Sequence, residues 1–149
     1  HPDIIDPMTE VEMITFFNMV ISSTVYSKLT KNKPVIKFHD YLTSKLLGGK
    51  EIAGNANNNV VNISRNCGLN KRVILHELSH TCDNPHHDIK FRQDHITLVK
   101  AFLGKKHGSS LSKCYTMHKL VSKVPEKIME PQEWLKNYEK VSRARKMKK

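Results

Sequence analysis

Residues 73–91 read VILHELSHTCDNPHHDIKF, and the first half of that stretch decides how the chain folds around it. Val73, Ile74, Leu75 and Leu78 recur at helical spacing, and Asn70 stands where an N-cap side chain accepts from the free amides of the first turn. His76 and His80 lie four residues apart on this helix, so their side chains leave the axis about 40° apart. Two imidazoles so placed suit two nitrogen ligands on one zinc ion. Glu77, between them in His76-Glu77-Leu78-Ser79-His80, is placed to take a proton from a metal-bound water. Asp83-Asn84-Pro85 then ends the helix, because the residue before a proline is steered away from the helical region.

A catalytic zinc keeps three protein ligands and one open position, so a third donor should follow closely. Two neighbours qualify. His86 lies six residues after His80, the spacing of the H-E-x-x-H-x-x-G-x-x-H metzincins, with Asp83 where that motif has its glycine. Met117 stands at a distance compatible with the methionine turn of the same group. His87 opens the sequence His87-Asp88-Ile89-Lys90-Phe91, with an apolar helical pattern running on from it.

Outside this stretch the chain reads as one α+β domain. Its 149 residues suffice for a single core, and no run of eighteen apolar residues marks a membrane span. Thr9-Glu10-Val11-Glu12 is a capping box with Met8 and Met13 as a hydrophobic staple, and it opens a helix expected to run to about Leu29. Lys31-Asn32-Lys33-Pro34 breaks it, and residues 35–39 form a strand rich in β-branched positions. Residues 51–56 and 59–64 flank Asn57-Asn58, a hairpin turn in which asparagine would accept positive φ. Together these predict a small, mostly antiparallel sheet. A helix begins near Asp88 and is interrupted at Gly104 and Gly108. Further helices are expected over residues 109–124 and 132–146, the last opened by Pro131.

Charge and cysteines bound the function. The net charge is +11, unevenly spread: Asp3, Asp6, Glu10 and Glu12 face Lys28 alone in the first thirty residues. Lys136, Lys140, Arg143, Arg145, Lys146, Lys148 and Lys149 crowd the other end against Glu139. Such a segment attracts nucleic acid or another polyanion without sequence preference. Cys67, Cys82 and Cys114 are odd in number and form no C-x-x-C pair, which argues against a disulfide framework. Cys82, two residues beyond His80, is expected to be a half-buried free thiol rather than a metal ligand. The chain opens at His1-Pro2 without a basic region before an apolar segment, so the expected location is cytoplasmic.

The segment His87-Asp88-Ile89-Lys90-Phe91 resembles the H-G-x-x-F/W segment of SprT/Spartan-like zinc metalloproteases. It also resembles that of small metallohydrolases of phages and actinobacteria built on the same zincin-like core. Asp88 stands where those proteins have glycine. The order of elements over residues 35–124 is similar as well. The resemblance implies one Zn2+ held by His76, His80 and His87 rather than His86, with Phe91 packed beneath the metal helix. It implies a zinc hydrolase, foremost a peptidase, in which Glu77 activates a zinc-bound water to cleave an amide bond in a protein or peptide. Tyr115, His118, His95, His86 and Arg92 are the candidates to stabilise the oxyanion, and Asp83, Asp88 and Asp94 to orient the imidazoles. Residues 1–130 would form this domain, with residues 131–149 a basic helix packed on it or trailing from it. A different reading takes the basic end as the functional part, making the chain a nucleic-acid-binding module with a structural or vestigial zinc site.

Overall fold

The computed structural model describes residues 7–117. The expected helix over 132–146, the basic run from Lys136, His118 and the 130/131 boundary lie outside the described residues.

Thr9 and Glu12 close the capping box as read. The Thr9 hydroxyl accepts from the Glu12 amide at 3.1 Å, and the Glu12 carboxylate accepts from the Thr9 amide at 3.0 Å. Helix α1, Glu10–Ile21, then buries Met13, Phe16, Phe17 and Val20 along one stripe. It does not continue to Leu29. Ser23 turns extended (φ −77°, ψ 156°, close to the φ −74°, ψ 161° of the Thr9 cap) and its hydroxyl caps a second helix, α2, Thr24–Leu29, by accepting from the Tyr26 amide. Consecutive serines compete with the helix by binding nearby backbone, and here a cap wins over continuation. The break aims Tyr26 into the core. Its hydroxyl donates to Thr81 Oγ1 at 2.6 Å, since the Thr81 proton is already given to the Leu78 carbonyl.

Strand β1, Val35–His39, forms where expected. Thr43–Ser44 (β2) and Lys50–Glu51 (β3) pair antiparallel as a two-stranded ribbon around a 3-10 turn at Lys45–Leu47. Gly54–Ala56 (β4) and Val60–Ser64 (β5) form the hairpin. Its turn is closed by the Asn57 side chain, which accepts from the amides of Asn59 and Val60, and not by an asparagine at positive φ. The sheet order is β1-β5-β4, with β1 parallel to β5 and β4 antiparallel to it. This corrects the mostly antiparallel expectation: the three-stranded sheet is mixed, and β5 is its centre. Ile36, Phe38, Ala56, Val61 and Ile63 turn one face to the core, while Asn55, Asn62 and His39 join in a polar ladder on the other.

Helix α3, Lys71–His80, is capped by Asn70, whose side chain accepts from the Val73 amide at 3.0 Å. Helix α4 covers Ile89–Leu103, and Gly104 (φ 101°) separates it from α5, Lys105–Met117. Gly108 does not interrupt α5. A Cβ there would lie 2.7 Å from Lys100 Cβ, so its missing side chain lets α5 close on α4. The core joins α1, the sheet, Ile74, Leu75 and Leu78 of α3, and Leu98 and Val99 of α4. No described helix is long and apolar enough to cross a membrane.

Candidate metal centre

Helix α3 is buried on two opposed faces. Ile74, Leu75 and Leu78 point into the core, and His76, Glu77 and His80 point toward the turn that follows and α4. That turn is shaped by Asp83, which takes φ 64°, the left-handed conformation that glycine would adopt most easily. Asp83 is held there by its neighbours. Its carboxylate accepts from Asn58 Nδ2 at 2.8 Å and Asn32 Nδ2 at 3.3 Å, and its amide donates to Asn58 Oδ1 at 3.1 Å. Asp88 needs no glycine either. At φ −80° and ψ −172° it is ordinary extended backbone, and its side chain caps α4 by accepting from the Phe91 amide at 3.0 Å.

The chain reversal brings His87 back over α3. His87 Nε2 lies 3.1 Å from His80 Nε2 and 3.3 Å from His76 Nε2, and the ligand atoms of the three residues fall within 4.8 Å of one another. His86 is exposed and is not among the three. Phe91, fully buried, forms the floor, its ring centroid 4.5 Å from that of His80, 4.8 Å from His87 and 5.2 Å from His76.

These residues fit a metal ion. Bonds of about 2.0–2.1 Å in a tetrahedral zinc site set adjacent nitrogens about 3.3 Å apart, close to the spacings seen. The donors are in the ligating form: burial first, and neighbouring charges second, lower His76 and bring His87 down to about 2, and burial lowers His80. His80 is also in the ligating tautomer. Its Nδ1 lies 2.7 Å from the Asn84 carbonyl, which only accepts, so Nδ1 carries the proton and Nε2 offers its lone pair. Three histidines that can together hold a metal ion are thus assembled from two adjoining segments.

Glu77 is 6% exposed, and burial pushes its carboxyl up to about 8. A cation at the three nitrogens would favour its ionised form. The carboxylate lies against β4: a Cβ on Gly54 would come within 3.1 Å of Glu77 Cγ and 2.9 Å of the Asn62 carbonyl. The strand at the sheet edge beside the site is therefore β4, the first arm of the hairpin.

The other sequence candidates are distributed around this cluster. His95, buried, packs edge-on against His76 with ring centroids 5.3 Å apart, and its Nδ1 is 2.8 Å from the Tyr115 hydroxyl. Arg92 is 2% exposed, and its charge helps keep His87 neutral. Asp94 bonds to Asn84 and Lys90. Cys82 is a free thiol raised to about 12 by burial, its sulfur directed to the Leu78 carbonyl. His39 bonds to Asn62 on the sheet. Sequence reasoning missed Gly54 and the Asn84 carbonyl. The first carries no local signal, whereas Asn84-Pro85 marked a turn whose carbonyl direction only the fold reveals. Comparison of the chain with protein-family models, curated proteins and solved structures finds no match.

Proposed function

We propose that the chain is a zinc-dependent hydrolase with a zincin-like, SprT/Spartan-like core, acting on amide bonds as a peptidase. One observation carries this reading. Three neutral imidazoles converge through their Nε2 atoms, and a buried carboxyl adjoins the first of them in sequence. Zinc bound by three neutral imidazoles supplies Lewis-acid activation of water and of a carbonyl group. Glu77 accepts the proton as water adds to the carbonyl carbon, and returns it to the amine nitrogen as the C–N bond breaks. Tyr115 and His95, joined at 2.8 Å with the His95 ring packed against His76, are the pair we assign to hydrogen-bond the developing oxyanion.

The position of β4 supports a peptide as substrate. Ser64 and Asn57 donate across the hairpin to Ala53 and Val60, so Ala53, Asn55 and Asn57 face β5 and the amides and carbonyls of Gly54 and Ala56 face the open edge. An extended peptide pairing there would lie beside Glu77. Glu77→Gln tests the mechanism: zinc content should stay at the wild-type level while peptide hydrolysis falls by about 10²–10⁴-fold. A Glu77→Gln protein that still hydrolyses peptides at the wild-type rate sinks the proposal.

A further inference from the structure

The turn that follows α3 contains a buried polar network one step removed from the three histidines. Asn84 is 1% exposed, and its Nδ2 donates to the Ser79 carbonyl at 2.9 Å and to Asp94 Oδ2 at 2.8 Å. The same Asp94 oxygen accepts from Lys90 Nζ at 3.0 Å, and Lys90 Nζ reaches back to the Cys82 carbonyl at 2.7 Å and Asn84 Oδ1 at 3.3 Å. Asp94, 8% exposed on α4, thus grips the turn from the neighbouring helix. One of its bonds ends directly on the segment whose main chain presents the Asn84 carbonyl to His80 Nδ1. The other holds Lys90 of its own helix, which in turn donates to the Cys82 carbonyl and Asn84 Oδ1 of that segment. A buried carboxylate costs free energy to desolvate, and this one is compensated by the Asn84 amide from the turn and by the Lys90 ammonium from its own helix.

We propose that Asp94 is a positioning residue for the metal centre. It immobilises Asn84, whose carbonyl then holds the proton on His80 Nδ1 and turns His80 Nε2 toward the ion. Orienting acceptors on ligand histidines are usually side-chain carboxylates or carbonyls bonded directly to the ring. Here the carboxylate acts through a second residue's main chain. His95, its neighbour in sequence, bonds instead to Tyr115 and takes no part in this network.

This inference rests on the metal-site reading, and its test separates the two. Nitrogen-15 histidine NMR of the metal-free protein should show His80 as the Nδ1–H tautomer in the wild type and a mixture in Asp94→Ala. Chelator competition should show zinc bound about 10–100-fold more weakly by Asp94→Ala. Asp94→Asn, whose amide oxygen still accepts from Asn84, should restore both. Asn84→Ala keeps the carbonyl but loses the clamp, so it should match Asp94→Ala, and the double variant should be no worse than either. Leu98→Ala, which loosens the same helix from the core, should leave tautomer and zinc affinity unchanged. A wild type that takes up zinc alongside an Asp94→Ala or Asn84→Ala protein of equal affinity overturns the role of Asp94 alone. A wild type that binds no zinc overturns the metal site and this role with it.

Discussion

Helix α3 buries two faces of opposite character. On one, Ile74, Leu75 and Leu78 are fully buried in the apolar core with α1, the sheet and α4. On the other, His76, Glu77 and His80 are also withdrawn from water, but they face rings and polar atoms placed by the Asp83 turn and by α4. The first face is stabilised by burial regardless of pH or solutes. The second keeps three imidazoles neutral and a carboxyl protonated near neutral pH, so its stability depends on protons and on a bound cation.

The comparison can be broken from either side. Leu78→Ala should cost about 3 kcal/mol of unfolding free energy in the metal-free protein, by cavity formation in the core. The molecules that remain folded should bind zinc as the wild type does, as denaturant titration with and without zinc will show. His87→Ala should do the reverse. It should weaken zinc binding by at least about a hundredfold, or about 2.7 kcal/mol, with His86→Ala changing it by less than about twofold, both read by chelator competition.

The pH dependence sharpens the contrast. His87 titrates near 2 and His95 near 3 in the folded metal-free protein, against an ordinary 6.5, and His76 and His80 are lowered too. The unfolded chain therefore binds protons that the folded chain refuses, and stability should fall as pH drops below about 6.5. Glu77 has the opposite sign. Its folded value near 8 lies above 4.5, so its contribution is present below 4.5 and is lost as pH rises through about 8. Denaturation midpoints across this range should decline on both sides, and Glu77→Gln should remove the decline on the alkaline side only. The smallest effect is expected at the turn: Asn58→Ala should cost about 1 kcal/mol by releasing two hydrogen bonds to Asp83, measured by the same denaturation.

What could be read in the chain followed from how local each signal is. The capping box at Thr9, the Asn70 cap, the β-branched strand at Val35 and the pairing of His76 with His80 all act within one or two turns. Each is written in adjacent residues. Strand order is not local: β1 and β5 pair in parallel across 25 positions, Val35 to Val60, and no residue between them announces it. The Ser22-Ser23 break turned on a balance between helix continuation and the Ser23 cap that sequence alone does not weigh, and the continuity of α5 through Gly108 on its close approach to Lys100. The choice of His87 as the residue that meets His76 and His80 depended on a left-handed Asp83, and that conformation depended on Asn32 and Asn58 far away in sequence.

The hairpin and the histidine helix are fastened to each other at two points. Gly54 rides on the Glu77 side chain at one end of β4, and Asn58 locks onto Asp83 at the other. Strand and helix are therefore tied together both at the carboxyl group and at the turn that follows the helix. The edge that would receive a peptide thus shares its anchoring with the carboxyl group and with the loop that carries His87.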